Sequence, residues 1–291
     1  MKTTTAAILG AFAFVPLASA QDFSRIEITT IPVTDSIYML QGSGGNIGVS
    51  IGDDGTFIID DQFAPLTEKI IAAIAELTDK PVDFVVNSHW HYDHSDGNEN
   101  FGRAGAYIVA QDNSRQRMET DQVVSLNGRQ QAPYEDVGLP KITFMDAMKF
   151  YFNGNTIDLI YSGPGHTDGD AQVFFKEANV IHTGDMFVRY GLPFIDQPNG
   201  GSTDGMIDSI WALAGMIDDD TIIIPGHGQL ANRDDLLEYR DMLVTIRERL
   251  KAGIGRGMSA DLVVELNLAE GYAQPGPGTE RWLRAAYEEY K

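Results

Sequence analysis

Five of the six histidines in this 291-residue chain lie in three short clusters, and no cysteine accompanies them. The first cluster is His89-Trp90-His91-Tyr92-Asp93-His94. The second is His166, within Gly163-Pro164-Gly165-His166-Thr167-Asp168-Gly169, and the third is His227, within Pro225-Gly226-His227-Gly228. Gly184-Asp185 falls between the last two. Imidazole nitrogen and carboxylate oxygen are the donors zinc accepts when thiolate is absent. In an extended loop, residues two apart point the same way, so His89 and His91 can grip one ion together. Asp93 and His94 are then turned towards a second position nearby. His166, Asp185 and His227 are the remote residues available to close such a site. A lone His-x-His would be weak evidence of metal. Four groups in this order, each at the end of a strand, make a specific pattern.

The positioning elements can be read from hydrophobic period and turn residues. The first third predicts short strands at 26–30, Ile37–Gln41, 46–51 and Thr56–Ile59, separated by Gly-rich or Asp-Gly turns. Residues 66–77 carry Ile70, Ile71, Ile74 and Leu77 at helical spacing and stop at Lys80-Pro81. Val82–Val86 is a continuous apolar strand running into the His-rich loop. Further strands are expected at 106–110, 149–152, 156–161, 171–175, Val180–His182 and 221–224. A helix is expected over 204–216, and helix again beyond Gln229. No internal repeat or linker divides the chain. Strand-rich and mixed halves suggest two sheets packed face to face under outer helices. Each His or Asp cluster would then sit where a strand opens into a Gly-containing loop, along one sheet edge.

Composition narrows the function. With 21 Lys+Arg against 42 Asp+Glu the net charge is −21 and the pI about 4.4. A surface that acidic disfavours nucleic acid and anionic membranes as partners. The lack of cysteine excludes disulfides, Cys nucleophiles, thiolate zinc sites and iron–sulfur clusters. Residues 1–20 have the three parts of a signal peptide: Lys2, an apolar run over 6–17, and Ala18-Ser19-Ala20 before the cut. The run is shorter than the roughly 20 residues that span a bilayer. The expectation is a periplasmic or secreted protein starting at Gln21, free of a membrane anchor. Residues 21–291 would form one domain with a helical C-terminal extension from about residue 230.

On these motifs the chain resembles the metallo-β-lactamase superfamily, whose core is His-x-His-x-Asp-His, then a distant His, an Asp or Cys, and a final His. The resemblance covers about residues 26–229. It implies an αββα sandwich of the α/β class with two zinc ions at one edge of the paired sheets. It places His89, His91 and His166 on one zinc, and Asp93, His94 and His227 on the other, with Asp185 bridging. Asp60, closing an early strand in Ile58-Ile59-Asp60-Asp61, matches an outer residue that orients a ligand without touching metal. Asp185 stands where one lactamase subclass has Cys, which excludes that subclass. It fits the wider hydrolases, glyoxalase II-like thioesterases among them.

Other features read as structural. Gly48-Val49-Ser50-Ile51-Gly52 matches the nucleophile-elbow pattern, but Ser50 falls inside a strand rather than on a strand–helix turn. Gly42-Ser43-Gly44-Gly45 lacks the following helix of a dinucleotide site and reads as a hairpin turn that overhangs the His loop. His182 reads as packed or as backing a ligand, and Trp282, Tyr287 and Tyr290 as core or interface.

The resulting expectation is a zinc-dependent hydrolase acting on a small molecule with a hydrolysable carbonyl. Hydroxide generated at the metals, where the pKa of water falls to roughly 7, would attack that carbonyl. Asp93 would take and return the proton. β-Lactam ring opening is the leading substrate reading. Arg189 would meet the lactam carboxylate, and Asn199 would help polarise the carbonyl. Lactone, ester or thioester hydrolysis is the alternative. A non-catalytic periplasmic metal-binding accessory protein is the alternative of another class.

Overall fold

Strands apolar on both faces need cover on both sides. Here the period-2 alternation sends Ile37, Met39, Phe57 and Ile59 to one face, and Leu40, Val49 and Ile58 to the other. In the computed structural model, which describes residues 22–291, the first sheet uses β1 (Thr29–Pro32), β2 (Ile37–Gln41), β3 (Ile47–Ile51), β4 (Thr56–Ile59), β5 (Val82–Val86) and β6 (Tyr107–Gln111). A small separate hairpin follows, β7 (Gln122–Val124) with β8 (Arg129–Gln131), and then the last strand of the first sheet, β9 (Ile142–Phe144). Pairing runs β1-β2-β3-β4-β5-β6-β9, antiparallel as far as β4 and parallel beyond it.

The second sheet joins β10 (Ala147–Phe152), β11 (Asn155–Ile160), β12 (Gln172–Phe175), β13 (Val180–His182) and β14 (Ile222–Ile224) in sequence order. Only the β13–β14 pair is parallel. Between the sheets, Phe57, Ile59 and Val86 pack against Ile157, Val173, Phe175 and Val180. Helices α1 (Thr67–Ala75), α2 (Tyr92–Ser95), α3 (Asn98–Ala104) and α4 (Asp112–Met118) belong to the first half. Ile70 and Ile74 of α1 and Phe101 of α3 cover the outer face of the first sheet. Helices α5 (Thr203–Ala214), α6 (Arg233–Gly255), α7 (Ala260–Glu265) and α8 (Pro277–Tyr290) belong to the second half. Met206, Ile210, Leu243 and Leu283 from α5, α6 and α8 cover Ile181 and Ile223 of the second sheet. The layers are α, β, β, α, as expected.

The differences from the sequence reading have local causes. The strand expected at 26–30 begins at Thr29, after a single 3-10 turn over Phe23–Arg25. Its register is fixed by β2, with Pro32 opposite Tyr38, a place an edge strand allows for proline. The C-terminal region is helical but broken twice, at Gly257 and around Gly271, both left-handed. The expected signal peptide, residues 1–20, lies outside the described residues.

Candidate metal centre

The fold brings four strand ends to one edge. β4 leads to Asp60 and β5 runs into His89, while β13 leads to Asp185 and β14 to His227. His166 arrives from the loop before β12. The glycine turn between β2 and β3 closes the top. Gly45 N–H donates to the Asp93 carbonyl, and Asn46 donates from its backbone to Gly226 and from its side chain to Pro225 and Gly228. A Cβ on Gly45 would lie 2.2 Å from His94 Cε1, so glycine is required at this position.

The donor atoms converge in three groups: His89, His91 and His166; His89, His94 and Asp185; Asp93, His94 and His227. His91 Nδ1 is 2.8 Å from His166 Nε2, and His94 Nε2 is 3.2 Å from both His227 Nε2 and Asp185 Oδ1. Ligands about 2.0–2.1 Å from a tetrahedral zinc stand about 3.3 Å apart, close to these separations. One buried donor, His89 Nε2, has no hydrogen-bond partner, and Asp185 Oδ1 has only its ion-pair contacts with His94 and His227. Orphaned buried polar atoms are costly unless something else meets them, and a cation at this point does. The residues fit a bound metal.

Four of the five imidazoles are oriented from behind. Ser88 Oγ donates to Asp60 Oδ2 at 2.7 Å, which leaves it to accept from His89 Nδ1 at 3.1 Å. His94 Nδ1 donates to the same Asp60 oxygen at 2.7 Å, and Ser88 N–H donates to Asp60 Oδ1. One buried carboxylate therefore aims a histidine into each of two donor groups. Asp60 has φ 63°, a left-handed conformation uncommon for a non-glycine residue, at the bend that turns its side chain to His94. His166 Nδ1 donates to the Phe194 carbonyl, and His91 Nε2 donates to Asp196 Oδ2 at 2.9 Å. Both rings thus keep their other nitrogen for metal.

Protonation follows the same map. Burial lowers the His89 pKa, and the neighbouring imidazoles add to that. Burial likewise takes His166 down to about 4, against the pull of Asp185. At His94 and His227 burial acts in the same direction but Asp185 outweighs it, helped at His94 by Asp60 and at His227 by Asp93. His94 moves well up and His227 to about 9. Burial raises Asp93 and Asp185, yet the facing imidazoles prevail, leaving Asp93 at about 2 and Asp185 well below the ordinary range.

All seven expected ligands come together, with Asp60 behind them. The two expected substrate contacts lie beside the cage with their side chains engaged by the protein. Arg189 pairs with Asp235 on α6 at 2.6 Å, the residue that completes the capping box of that helix. Asn199 is buried, donating to Asp196 Oδ2 and the Val123 carbonyl while accepting from Arg117. It braces the partner of His91. His182 is a packed residue, its Nε2 donating to the Asn46 carbonyl and its Nδ1 accepting from Gly184. Sequence reasoning missed Asp196, Ser88 and Asn46. Of these, Ser88 alone carried a signal, as the immediate neighbour of His89.

An αββα sandwich with a His/Asp cage at the shared sheet edge defines a class of metal-dependent hydrolase folds. The chain belongs to the metallo-beta-lactamase superfamily, whose model matches residues 40–227. It is 24% identical over 265 residues to "Lactamase-like protein aptB" of Emericella nidulans, covering 83% of this chain and 77% of that one. Among solved structures it resembles the DIM-1 metallo-beta-lactamase, with TM-score 0.62 and 18% identity over 76% of this chain and 99% of that. It also resembles the sec-alkylsulfatase Pisa1 from Pseudomonas sp., with TM-score 0.68, 18% identity, and 90% of this chain against 50% of that. At these identities the structures establish the fold.

Proposed function

We propose that the protein is a dizinc hydrolase that cleaves an uncharged ester-type carbonyl substrate, a lactone, ester or thioester. The observation that carries the reading is the cage itself: five imidazoles and two carboxylates whose donor atoms converge, with His89 Nε2 buried and without a hydrogen-bond partner. When bound, the metal pair supplies Lewis acidity and a nucleophile from water at neutral pH. The chain's own residues do the rest. His94 and Asp185 hold the centre from the buried side. Asp93, whose side chain keeps 26% exposure beside His227, is the carboxylate that can accept and return a proton at the open face.

Substrate charge favours this reading over lactam opening. A β-lactam carboxylate needs a cation, and Arg189 is held by Asp235 while Arg117 is held by Asp168. β-Lactam hydrolysis remains the second reading because the DIM-1 fold is matched over 99% of its length. Initial rates on a neutral ester, a lactone, a thioester and a penicillin, before and after chelation, test both. Neutral substrates should turn over and the penicillin hardly at all, with chelation abolishing every rate. Efficient penicillin cleavage would reverse the order of the two readings. No chelatable turnover on any of them would leave the metal-binding accessory role. We also infer export; sequencing of the protein recovered from outside the cytoplasm should start at Gln21, and a start at Met1 would refute this.

A further inference from the structure

Beside the metal cage lies a cavity of about 800 Å³ that the chemistry of the cage does not use. That is within the size range of small-molecule sites. Its walls come from two places far apart in sequence: the loop after Asp185, through Tyr190, Leu192, Phe194 and Ile195, and the C-terminal α8, through Trp282 and Ala285. Phe194 joins cavity and cage. Its ring stacks on His91 (5.7 Å between centroids, 27° between planes) and meets His166 edge-on, and its carbonyl holds His166 Nδ1. Tyr190 does the same on the other side, edge-on to His227. Both are cavity-lining residues, so a single layer of aromatic rings stands between the space and the metal donors.

The cavity is built rather than incidental. Glu289 of α8 accepts from Gln197 Nε2, Thr203 N–H and Thr203 Oγ1, fixing the helix against the loop that carries Phe194. The charged residues on its wall are engaged by the protein: Arg281 donates to the carbonyl of Leu126, itself a wall residue, and Glu288 pairs with Lys291. Apolar walls of this extent gain free energy from apolar surface and penalise an unpaired charge.

We propose that this cavity binds the apolar acyl arm of the substrate, so that the protein prefers long-chain over short-chain neutral esters and thioesters. The proposal rests on the hydrolase reading for its kinetic test, and a binding arm is included to separate the two. In an acetyl-to-octanoyl series of neutral aryl esters with zinc-loaded protein, kcat/KM should rise by up to about fourfold per buried methylene. Gly278→Phe fills the mouth without a clash, since nothing lies within 4 Å of a Cβ there, and Ala285→Trp fills the wall. Each should lower the octanoyl-to-acetyl ratio by tenfold or more. The ratio distinguishes a filled cavity from a misfolded variant, which loses both substrates alike. Independently of turnover, decan-1-ol should raise the Tm and change the Trp282 fluorescence of the wild type, and do neither in Gly278→Phe. Short esters hydrolysed with a flat chain-length series would overturn the proposal and leave the hydrolase reading standing. Decanol binding that Gly278→Phe removes, with no turnover of these esters or of the lactone, thioester and penicillin, would support the apolar site and sink the hydrolase reading. A dimer that Gly278→Phe dissociates, with the chain-length series unchanged, would assign the cavity to a second copy and overturn the proposal.

Discussion

Zinc should enter this site by displacing protons, and the structure sets how many. In the metal-free protein His227 titrates at about 9 because, against the opposing effect of burial, it faces Asp185 and Asp93. His94 is raised as well, by Asp185, Asp60 and Asp93. At pH 7 both rings are therefore imidazolium, whereas Asp93 and Asp185 are already ionised. Metal can bind only the neutral rings, so full loading should release about two protons per chain. At pH 7, His227 lies about two pH units below its own pKa. At 1.36 kcal/mol per unit this amounts to about 2.7 kcal/mol, or about 100-fold in affinity for the metal held by Asp93, His94 and His227. The sign is definite: apparent affinity rises with pH, the part due to His227 levels off near 9, and His94 adds to the rise. Calorimetric zinc titration in two buffers of different ionisation enthalpy gives the proton count directly. Asp93→Asn, which removes one of the carboxylates raising His227, should reduce the count. Release of less than one proton per chain, with affinity flat between about pH 6.5 and pH 8.5, would refute the reasoning.

Other consequences are more local. Asp60→Ala should weaken metal binding by about 10- to 100-fold at both positions, because Asp60 aims His94 directly and His89 through Ser88. Loss at one position alone, read from metal content after dialysis, would break that chain of argument. Gly45→Ala should displace His94 and lower zinc affinity at least about tenfold, because its Cβ would sit 2.2 Å from the ring; unchanged metal content would show that the turn can yield. In the metal-free protein, the stability from His227 is fully present below its ordinary 6.5 and lost as pH rises through about 9. Asp93 contributes through the same contact, present above 3.8 and lost as pH falls through about 2. The Tm of metal-free protein should accordingly fall between about pH 7 and pH 10, with zinc-loaded protein nearly level over that range, and parallel curves would contradict the assignment.

The cage was legible in the sequence because its donors are of rare type and stand at strand ends, where a short apolar run announces the element and the loop after it. Val82–Val86 and Thr56–Ile59 were readable for that reason, and with them His89 and Asp60. The supporting shell was not legible. The partner of His91 is Asp196, 105 residues away, and one acid among 42 carries no mark of its role. Arg189 looked free in sequence, since only the folded chain brings the first turn of α6 beside it. β7 and β8 contain Gln122, Arg129, Gln130 and Gln131, too polar to show a strand period, and β9 has three residues, too few to show any.

The same limit explains where substrate information resides. Donor residues are dictated by the metal, so their identity says what reaction the edge of the sandwich can run and nothing about the molecule that arrives there. The loop from Met186 to Gly201 faces both ways: Phe194 holds His166 with its carbonyl and walls the cavity with its ring. Its position depends in turn on Glu289 near the C-terminus, reaching Gln197 across 92 residues of chain. In α8, Trp282, Tyr287 and Tyr290 were readable at helical spacing, but only as core or interface. The structure divides the helix's apolar residues, with Leu283 buried against the second-sheet helices and Ala285 left lining open space. On the proposed reading, specificity in this chain is a tertiary property, set by a terminal helix docked on the loop after Asp185.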